Sequence, residues 1–246
     1  MEALKIIVSG MIDGLTGFLP VSSSGHLLML KNVFGFGEGD SIIFDLCLKL
    51  ATIIVILFAF RKDVARIIRL ESGIYVKLAL MILAATVSTG IVGLGCRSFA
   101  VYAADTVFFP GIFMILTGVM LFVTDGVKKG EVRISDAGFF EAVVIGGVQG
   151  LSVLPGLSRC GMVITTCLLL GFDRKLTWRF SFLCAVPSLI GAVILDIIDI
   201  ARFGVNDVGN TGWYISASVF AIITGYIGLV ICLLYTSPSP RDRQKS

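Results

Sequence analysis

Long apolar stretches constrain the fold of this chain more than any other feature of its sequence. Of its 246 residues, 56% are hydrophobic and only 15% are charged, which is far from the balance of a soluble domain of this length. About 20 consecutive apolar residues suffice for a helix to cross a bilayer. The sequence therefore predicts an all-α integral membrane protein, with spanning helices at 41–60, 75–95, 107–124, 177–196 and 213–233.

Two further apolar stretches, 6–30 and 139–171, are interrupted in the middle by Gly, Pro and Ser residues. Non-helical backbone cannot face lipid, because its N–H and C=O groups would lack hydrogen-bond partners, but it is tolerated where it lines a polar cavity. Each stretch is therefore expected to form a re-entrant helix–loop–helix hairpin with its loop at a polar site. No cleavage site of small residues follows the first apolar segment, so this segment is expected to be retained.

The two interrupted stretches are copies of one another. Ser22 and Gly25 recur 136 residues later as Ser158 and Gly161, and the same offset relates Gly10, Gly14 and Leu15 to Gly146, Gly150 and Leu151. This pattern predicts a tandem repeat, and a membrane domain over 1–233 divided into repeats at 1–137 and 138–233.

The end of the chain departs from this pattern. The helix at 107–124 has its expected counterpart at 243–260, beyond the last residue, so the second repeat is expected to lack its last helix. Residues 234–246 break the apolar pattern with Ser, Pro and charged residues, and we interpret them as a foreign or disordered tail.

Basic residues give the expected orientation. They concentrate in three segments between predicted spans: Arg61, Lys62, Arg66 and Arg69; Lys128, Lys129 and Arg133; Arg174, Lys175 and Arg179. The positive-inside rule assigns these segments to the cytoplasm. That assignment holds only if both hairpins return to the side they enter from. The first repeat then has an odd number of spans, so the two repeats are expected to be inverted, with their broken helices meeting near the midplane.

The first group of candidate functional residues is the run Ser22-Ser23-Ser24-Gly25-His26. Three hydroxyls, a glycine that permits close backbone approach and an imidazole are suited to an oxyanion such as phosphate. His26 is the only histidine, so it is the only imidazole available as a general acid or base. The structural alternative is that the serines cap a helix and His26 binds a carbonyl group.

The second group lies around Arg159. An arginine in the middle of an apolar hairpin is costly and usually functional, and its planar guanidinium is suited to phosphate; snorkelling to the interface is the alternative. Ser158 and Gln149 are expected to line the same cavity, with Gly161 nearby. Asp13 is positioned to hold a divalent cation beside a phosphate, although an N-cap role is equally compatible with the sequence.

Other residues are assigned structural roles. Asp45 and Lys49, four residues apart on a predicted helix, are expected to form a local ion pair. The six cysteines lack metal-binding spacings and are interpreted as packing residues. The Gly10-x-x-x-Gly14 and Gly146-x-x-x-Gly150 pairs permit close helix packing. We expect that packing to be internal; a homodimer formed through these glycines is the alternative.

The motifs together resemble those of a known family, the undecaprenyl-diphosphate phosphatases of the bacitracin-resistance type. The matching segments are Gly14-Leu15-Thr16 with Phe18-Leu19-Pro20-Val21-Ser22-Ser23-Ser24-Gly25-His26, Gln149-Gly150, Pro155-Gly156-Leu157-Ser158-Arg159 with Gly161, and Phe180-Ser181-Phe182-Leu183 with Pro187. The resemblance covers about 1–231. It implies a multi-pass enzyme of the bacterial inner membrane whose outward-facing site removes the terminal phosphate of a C55 polyprenyl diphosphate, recycling the carrier of cell-wall synthesis.

The resemblance also implies roles and departures. Ser23 and His26 match the family's candidate nucleophile and acid/base, Arg159 its phosphate clamp and Ser158 a supporting donor, with Mg or Ca as the cation. Gly17 stands where the family carries Glu; Cys160 and Val163 replace Ser and Thr. Inverted repeats with broken helices are also typical of transporters, and Gly17 and Val163 fit the alternative of a transporter or flippase that binds a polyprenyl phosphate without cleaving it. The expected partners are the lipid and the membrane, with no nucleic acid.

Overall fold

A computed structural model of the protein describes residues 2–34, 42–127, 130–204 and 211–236. Within these residues the chain forms ten α-helices and no β-strand, apart from one isolated bridge between Val132 and Phe172. The helices are α1 (Glu2–Phe18), α2 (Ser23–Phe34), α3 (Ile42–Ala59), α4 (Arg61–Ile68), α5 (Gly73–Ala104), α6 (Phe108–Asp125), α7 (Phe139–Gly150), α8 (Arg159–Leu169), α9 (Arg174–Phe203) and α10 (Thr211–Thr236), with a 3₁₀ turn at Leu151–Val153.

Among the described residues, five helices are long and apolar enough to cross a membrane: α3, α5, α6, α9 and α10. These are the five that the sequence predicts. Large apolar side chains cover their outer surfaces, and Ile91, Ile115 and Phe122 are 70%, 68% and 78% exposed. In water such a surface would aggregate, whereas in a bilayer it faces lipid. The predicted tail is described only to Thr236, the end of α10; 237–246 lie outside the described residues.

Both interrupted stretches are broken helices. The first stretch is helical to Phe18, turns at Leu19–Val21 and becomes helical again at Ser23. The second passes from α7 through the 3₁₀ turn and a non-helical segment before α8 begins at Arg159. Gly156 in this segment has φ +104°, a conformation that favours glycine. Gly25 lies against the Cα of Gly156, so the two broken helices touch at their breaks.

The first helix of each predicted repeat packs against a long helix of the other predicted repeat. A Cβ on Gly10 or Gly14 of α1 would lie within 2.5 Å of backbone oxygens of Ala217 or Ala221 in α10. A Cβ on Gly146 of α7 would lie 2.1 Å from the carbonyl oxygen of Ala85 in α5. The glycine pairs thus serve packing within the chain. The exchange is reciprocal, because α1 and α7, like α5 and α10, correspond at the repeat offset.

The basic segments meet at one end of the helix assembly. The first, predicted to be a loop, is the helix α4. Its Asp63 and Arg66 contact α9 and α5: Asp63 pairs with Arg179, and Arg66 donates to the hydroxyl of Tyr75. The second is joined to the third by the Val132–Phe172 bridge; Lys128 and Lys129 lie outside the described residues.

Candidate active site

The ends of the broken helices border a cavity of about 360 Å³, within the size range of small-molecule sites. Its walls come from α1, α2, α3, α8, α9 and the segment before α8. Of the ten residues predicted for the site, six line the cavity: Asp13, Ser22, Ser23, Ser24, Ser158 and Arg159. A seventh, His26, contacts the backbone of Ser22. The hydroxyl-rich turn and the guanidinium, from different repeats, therefore share one cavity.

Ser22 and Ser158 make the same capping hydrogen bond from different backbone conformations. Each precedes a helix, and its hydroxyl accepts a hydrogen bond from the backbone N–H three residues later, from Gly25 at 3.3 Å and from Gly161 at 3.1 Å. This is the N-cap arrangement, in which a side chain satisfies one of the donors that a helix leaves unpaired. Ser22 adopts it with φ 64°, which is unusual for a residue other than glycine. The capping alternative thus describes both of these serines.

Capping directs two helix N-termini at the cavity. Ser23 and Ser24 begin α2, Arg159 and Cys160 begin α8, and all four line the cavity. First-turn N–H groups have no intrahelical acceptor and carry the positive end of the helix dipole. Such a pair of helix starts is suited to binding an anion.

Asp13 and Ser23 are neighbours in the cavity wall. Asp13 is 8% exposed, and its carboxyl group lies near the Ser23 hydroxyl. A carboxylate only accepts, so the hydroxyl donates. Asp13 is an interior residue of α1, which excludes the N-cap alternative for it.

Arg159 is half-buried at the start of α8, and it has no hydrogen bond or ion pair with any residue of the described part of the chain. Asp13 and Asp45 are near enough for their charges to act on it. The guanidinium borders the cavity and its N–H donors have no partner among the described residues. It can therefore bind an oxyanion bidentately, through two parallel hydrogen bonds.

His26 lies next to the cavity and not in its wall. Its Nδ1 is 2.7 Å from the carbonyl oxygen of Ser22, one helical turn earlier. Because a carbonyl oxygen only accepts, Nδ1 carries the proton and donates it. The ring is thereby fixed against the backbone of the serine turn, and Nε2 is the nitrogen left for other partners.

The remaining predicted site residues serve packing. Gly25 is a contact point between helices, since a Cβ there would lie 2.7 Å from the sulfur of Met114; Gly161 packs on Thr117. Gln149 is buried, and its amide nitrogen donates to the hydroxyl of Ser188 at 2.8 Å, so the side chain joins α7 to α9. None of the three is among the residues that border the cavity.

The sequence did not predict that Gly17, Asp45 and Lys49 border the cavity. Lys49 lines the cavity and binds both Asp45, at 2.5 Å, and Asp196 of α9, at 2.7 Å. Gly17 also borders it: a Cβ there would have only the hydroxyl of Ser23 within 4 Å, at 3.9 Å. The sequence showed the Asp45–Lys49 spacing and the departure at Gly17, but not that these residues border one cavity.

The described residues contain no group of three or more His, Cys, Asp or Glu side chains able to hold a metal ion by themselves. Asp13 is a single buried carboxylate beside a hydroxyl. Mg²⁺ is commonly bound through one or two carboxylates together with substrate phosphates. The donors present therefore fit a cation that is shared with a phosphate ligand.

Comparison with known proteins identifies the family of the chain. The family model described as Bacitracin resistance protein BacA matches residues 6–239 of the chain. The chain belongs to the BacA family. Curated relatives of this BacA-family chain include an undecaprenyl-diphosphatase of Carboxydothermus hydrogenoformans, 33% identical over 95% of this chain and 88% of the relative. Another, from Desulfosudis oleivorans, is 38% identical over 81% of this chain and 79% of the relative.

A third relative, the undecaprenyl-diphosphatase of Halothermothrix orenii, is 32% identical and covers 93% of this chain and 87% of its own length. Membership of the BacA family and the five long apolar helices identify this chain as a multi-pass membrane protein.

Proposed function

We propose that this protein is a membrane phosphatase that removes the terminal phosphate of undecaprenyl diphosphate and so recycles the lipid carrier of cell-wall synthesis. The observation that carries the proposal is the shared cavity of Ser23 and Arg159. Undecaprenyl-diphosphatase is the name of the curated relatives. An anionic headgroup on a lipid tail is also the substrate class expected for an anion site surrounded by lipid-facing helices.

In the proposed reaction the terminal phosphoryl group lies between the two helix N-termini. The guanidinium of Arg159 binds its oxygens and stabilises the charge that they gain in the transition state. The hydroxyl of Ser23, or a water molecule beside it, attacks phosphorus. His26 does not border the cavity, so its Nε2 takes up the proton of the attacking oxygen through an intervening water molecule, with the ring oriented by the Nδ1 contact to Ser22.

Asp13 orients the Ser23 hydroxyl and is the residue that would hold a divalent cation, Mg or Ca, together with the phosphate oxygens. Such a cation would neutralise part of the diphosphate charge. Ser22 and Ser158 contribute mainly by fixing the two helix N-termini; the backbone N–H groups of these helices then bind phosphoryl oxygens.

The finer topology is part of this proposal. The helix breaks and the reciprocal packing of α1 on α10 and of α7 on α5 support two inverted repeats with re-entrant hairpins. The basic segments on α4, before α7 and at the start of α9 support a cytoplasmic location for that end. The cavity then opens outward from the bacterial inner membrane. Hydrolysis is favoured over transport because the relatives are named as phosphatases.

The test is phosphate release from a polyprenyl diphosphate by the purified protein in detergent. Arg159→Ala should reduce turnover at least about 100-fold, the scale seen when a donor to a transition-state oxyanion is removed. Arg97→Ala is the matched control, since Arg97 pairs with Asp199 away from the cavity residues. If Arg159→Ala retains near-normal turnover, the clamp is wrongly assigned. Lipid translocation without phosphate release in proteoliposomes would identify a carrier instead.

A further inference from the structure

Lys49 places a second cation in the cavity that the mechanism above does not use. It lies on α3, whereas Arg159 lies on α8, and both side chains border the same space. The charge of Asp13 acts on both of them, so the two cations lie within electrostatic range of one carboxylate. A diphosphate carries two phosphate groups, and a single guanidinium serves only one of them.

The two partners of Lys49 differ in exposure. The side chain of Asp196 on α9 is 17% exposed and that of Lys49 is 19% exposed, whereas that of Asp45 is 61% exposed. The nearly buried contact to Asp196 fixes the ammonium group and keeps it charged. The exposed Asp45 can rotate away at little cost, because an exposed ion pair contributes little stability. A phosphate oxygen can then take its place on Lys49.

We propose, on the basis of the phosphatase function above, that Lys49 binds the lipid-attached phosphate of the diphosphate, while Arg159 binds the terminal one. Lysine acts as a point charge toward phosphate, whereas arginine binds phosphate bidentately. With one cation on each phosphate group, Arg159 orients the terminal phosphate for attack and Lys49 holds the inner phosphate in place.

This role also assists the chemistry. The entering oxygen of Ser23 or water bonds to the terminal phosphorus and gives its proton to His26. The bond from that phosphorus to the bridging oxygen breaks, and its electron pair remains on the bridging oxygen of the departing polyprenyl monophosphate. Lys49 stabilises this negative charge as it forms, and such stabilisation of developing charge lowers the barrier.

The test compares two inhibitors of diphosphate hydrolysis in detergent, with the reaction followed by chromatography of the lipid. Farnesyl monophosphate occupies the inner position and orthophosphate the terminal one. Lys49→Gln should weaken inhibition by farnesyl monophosphate about 10- to 100-fold, as expected for a lost charge-assisted contact, and change orthophosphate inhibition less than about twofold. Arg159→Lys should show the reverse preference. Lys49→Arg, which keeps the charge, should remain close to the original protein.

Arg97→Gln is the structural control, because it breaks another ion pair to α9, with Asp199, outside the cavity. The proposal is overturned if Lys49→Gln weakens both inhibitors equally or neither, or if Arg97→Gln reproduces its effect. The shift in melting temperature on adding farnesyl monophosphate is measured in parallel and needs no turnover. A protein that binds this lipid through Lys49 but releases no phosphate contradicts the phosphatase function alone; absence of any shift contradicts the role of Lys49.

Discussion

The hydroxyls of Ser22 and Ser158 accept hydrogen bonds from the N–H groups of Gly25 and Gly161 at 3.3 and 3.1 Å, and so cap two helices that begin at one cavity. One hydroxyl therefore satisfies one otherwise unpaired N–H group at each of the two helix starts. This relationship separates the serines that fix the site from Ser23, which is available to act on a ligand.

Replacing Ser158 by Ala should remove the cap of α8. The expected loss is about 1 kcal/mol of unfolding free energy, together with reduced turnover because the N-terminus of α8 and Arg159 lose their fixed position. Ser158→Thr retains a capping hydroxyl and should recover most of both. Thermal unfolding and phosphate release in the same detergent measure the two effects. Equal behaviour of the two variants would contradict a capping role.

A carboxylate at position 17 should raise activity. A side chain there has only the Ser23 hydroxyl within 4 Å of its Cβ, and it extends into the cavity. The family that the motifs resemble carries Glu at this position. Gly17→Glu should increase turnover at least about 10-fold. This is less than the about 100-fold or more that a well-placed acid or base contributes.

The matched control for that change is Gly17→Gln, which has nearly the same size without the charge. It should remain at the activity of the original protein. An increase with Gln as large as that with Glu would assign the gain to packing.

Gln149 should be needed for stability and not for binding phosphate. Gln149→Leu removes the hydrogen bonds to Ser188 and Cys184 and leaves their polar atoms buried, at an expected loss of about 1–3 kcal/mol in unfolding free energy. KM for the diphosphate should stay the same, because the amide does not border the cavity. A selective rise in KM with unchanged melting temperature would show that the amide reaches the substrate.

The reciprocal helix packing predicts paired effects of substitution. Gly10→Ala and Gly146→Ala should each destabilise the protein by at least about 1–3 kcal/mol, because the new methyl group collides with backbone of the facing helix. Gly90→Ala is the control: no atom lies within 4 Å of its Cβ, so it should be neutral or slightly stabilising. Thermal melting of the three variants decides whether the two interfaces are equivalent.

A divalent cation, if it is held through Asp13 and the substrate, should be needed for turnover. Chelation with EDTA should abolish phosphate release by the original protein, and added Mg²⁺ or Ca²⁺ should restore it. Asp13→Asn should require a higher cation concentration for half-maximal activity. Turnover that is unaffected by EDTA would remove the cation from the proposal.

The sequence predicted the features that depend on local composition. Long apolar runs specified the five spanning helices, and the Gly, Pro and Ser residues near Pro20 and Pro155 specified both breaks. The helix α4 was missed because its dense charge resembles a loop, although Asp63 and Arg66 find partners on other helices. Likewise α5 continues past its predicted end at 95 to Ala104, and Arg97 in this extension pairs with Asp199 of α9.

Contacts between distant residues account for the rest. Asp196 lies 147 residues from Lys49, and no local pattern links them. The offset of 136 found the capping serines because both copies keep the same residue. It could not show that Gln149, opposite Asp13 in the repeat, points to α9 while Asp13 borders the cavity.

The packing of α1 on α10 has a consequence for how the chain is made. During synthesis α1 emerges first, yet the surface that accepts Gly10 and Gly14 is translated only after both broken helices and α9. Until then this glycine-lined face lacks its partner helix. Because α1 carries Asp13 and Gly17 of the cavity wall, that part of the wall reaches its final packing only after α10 is in place.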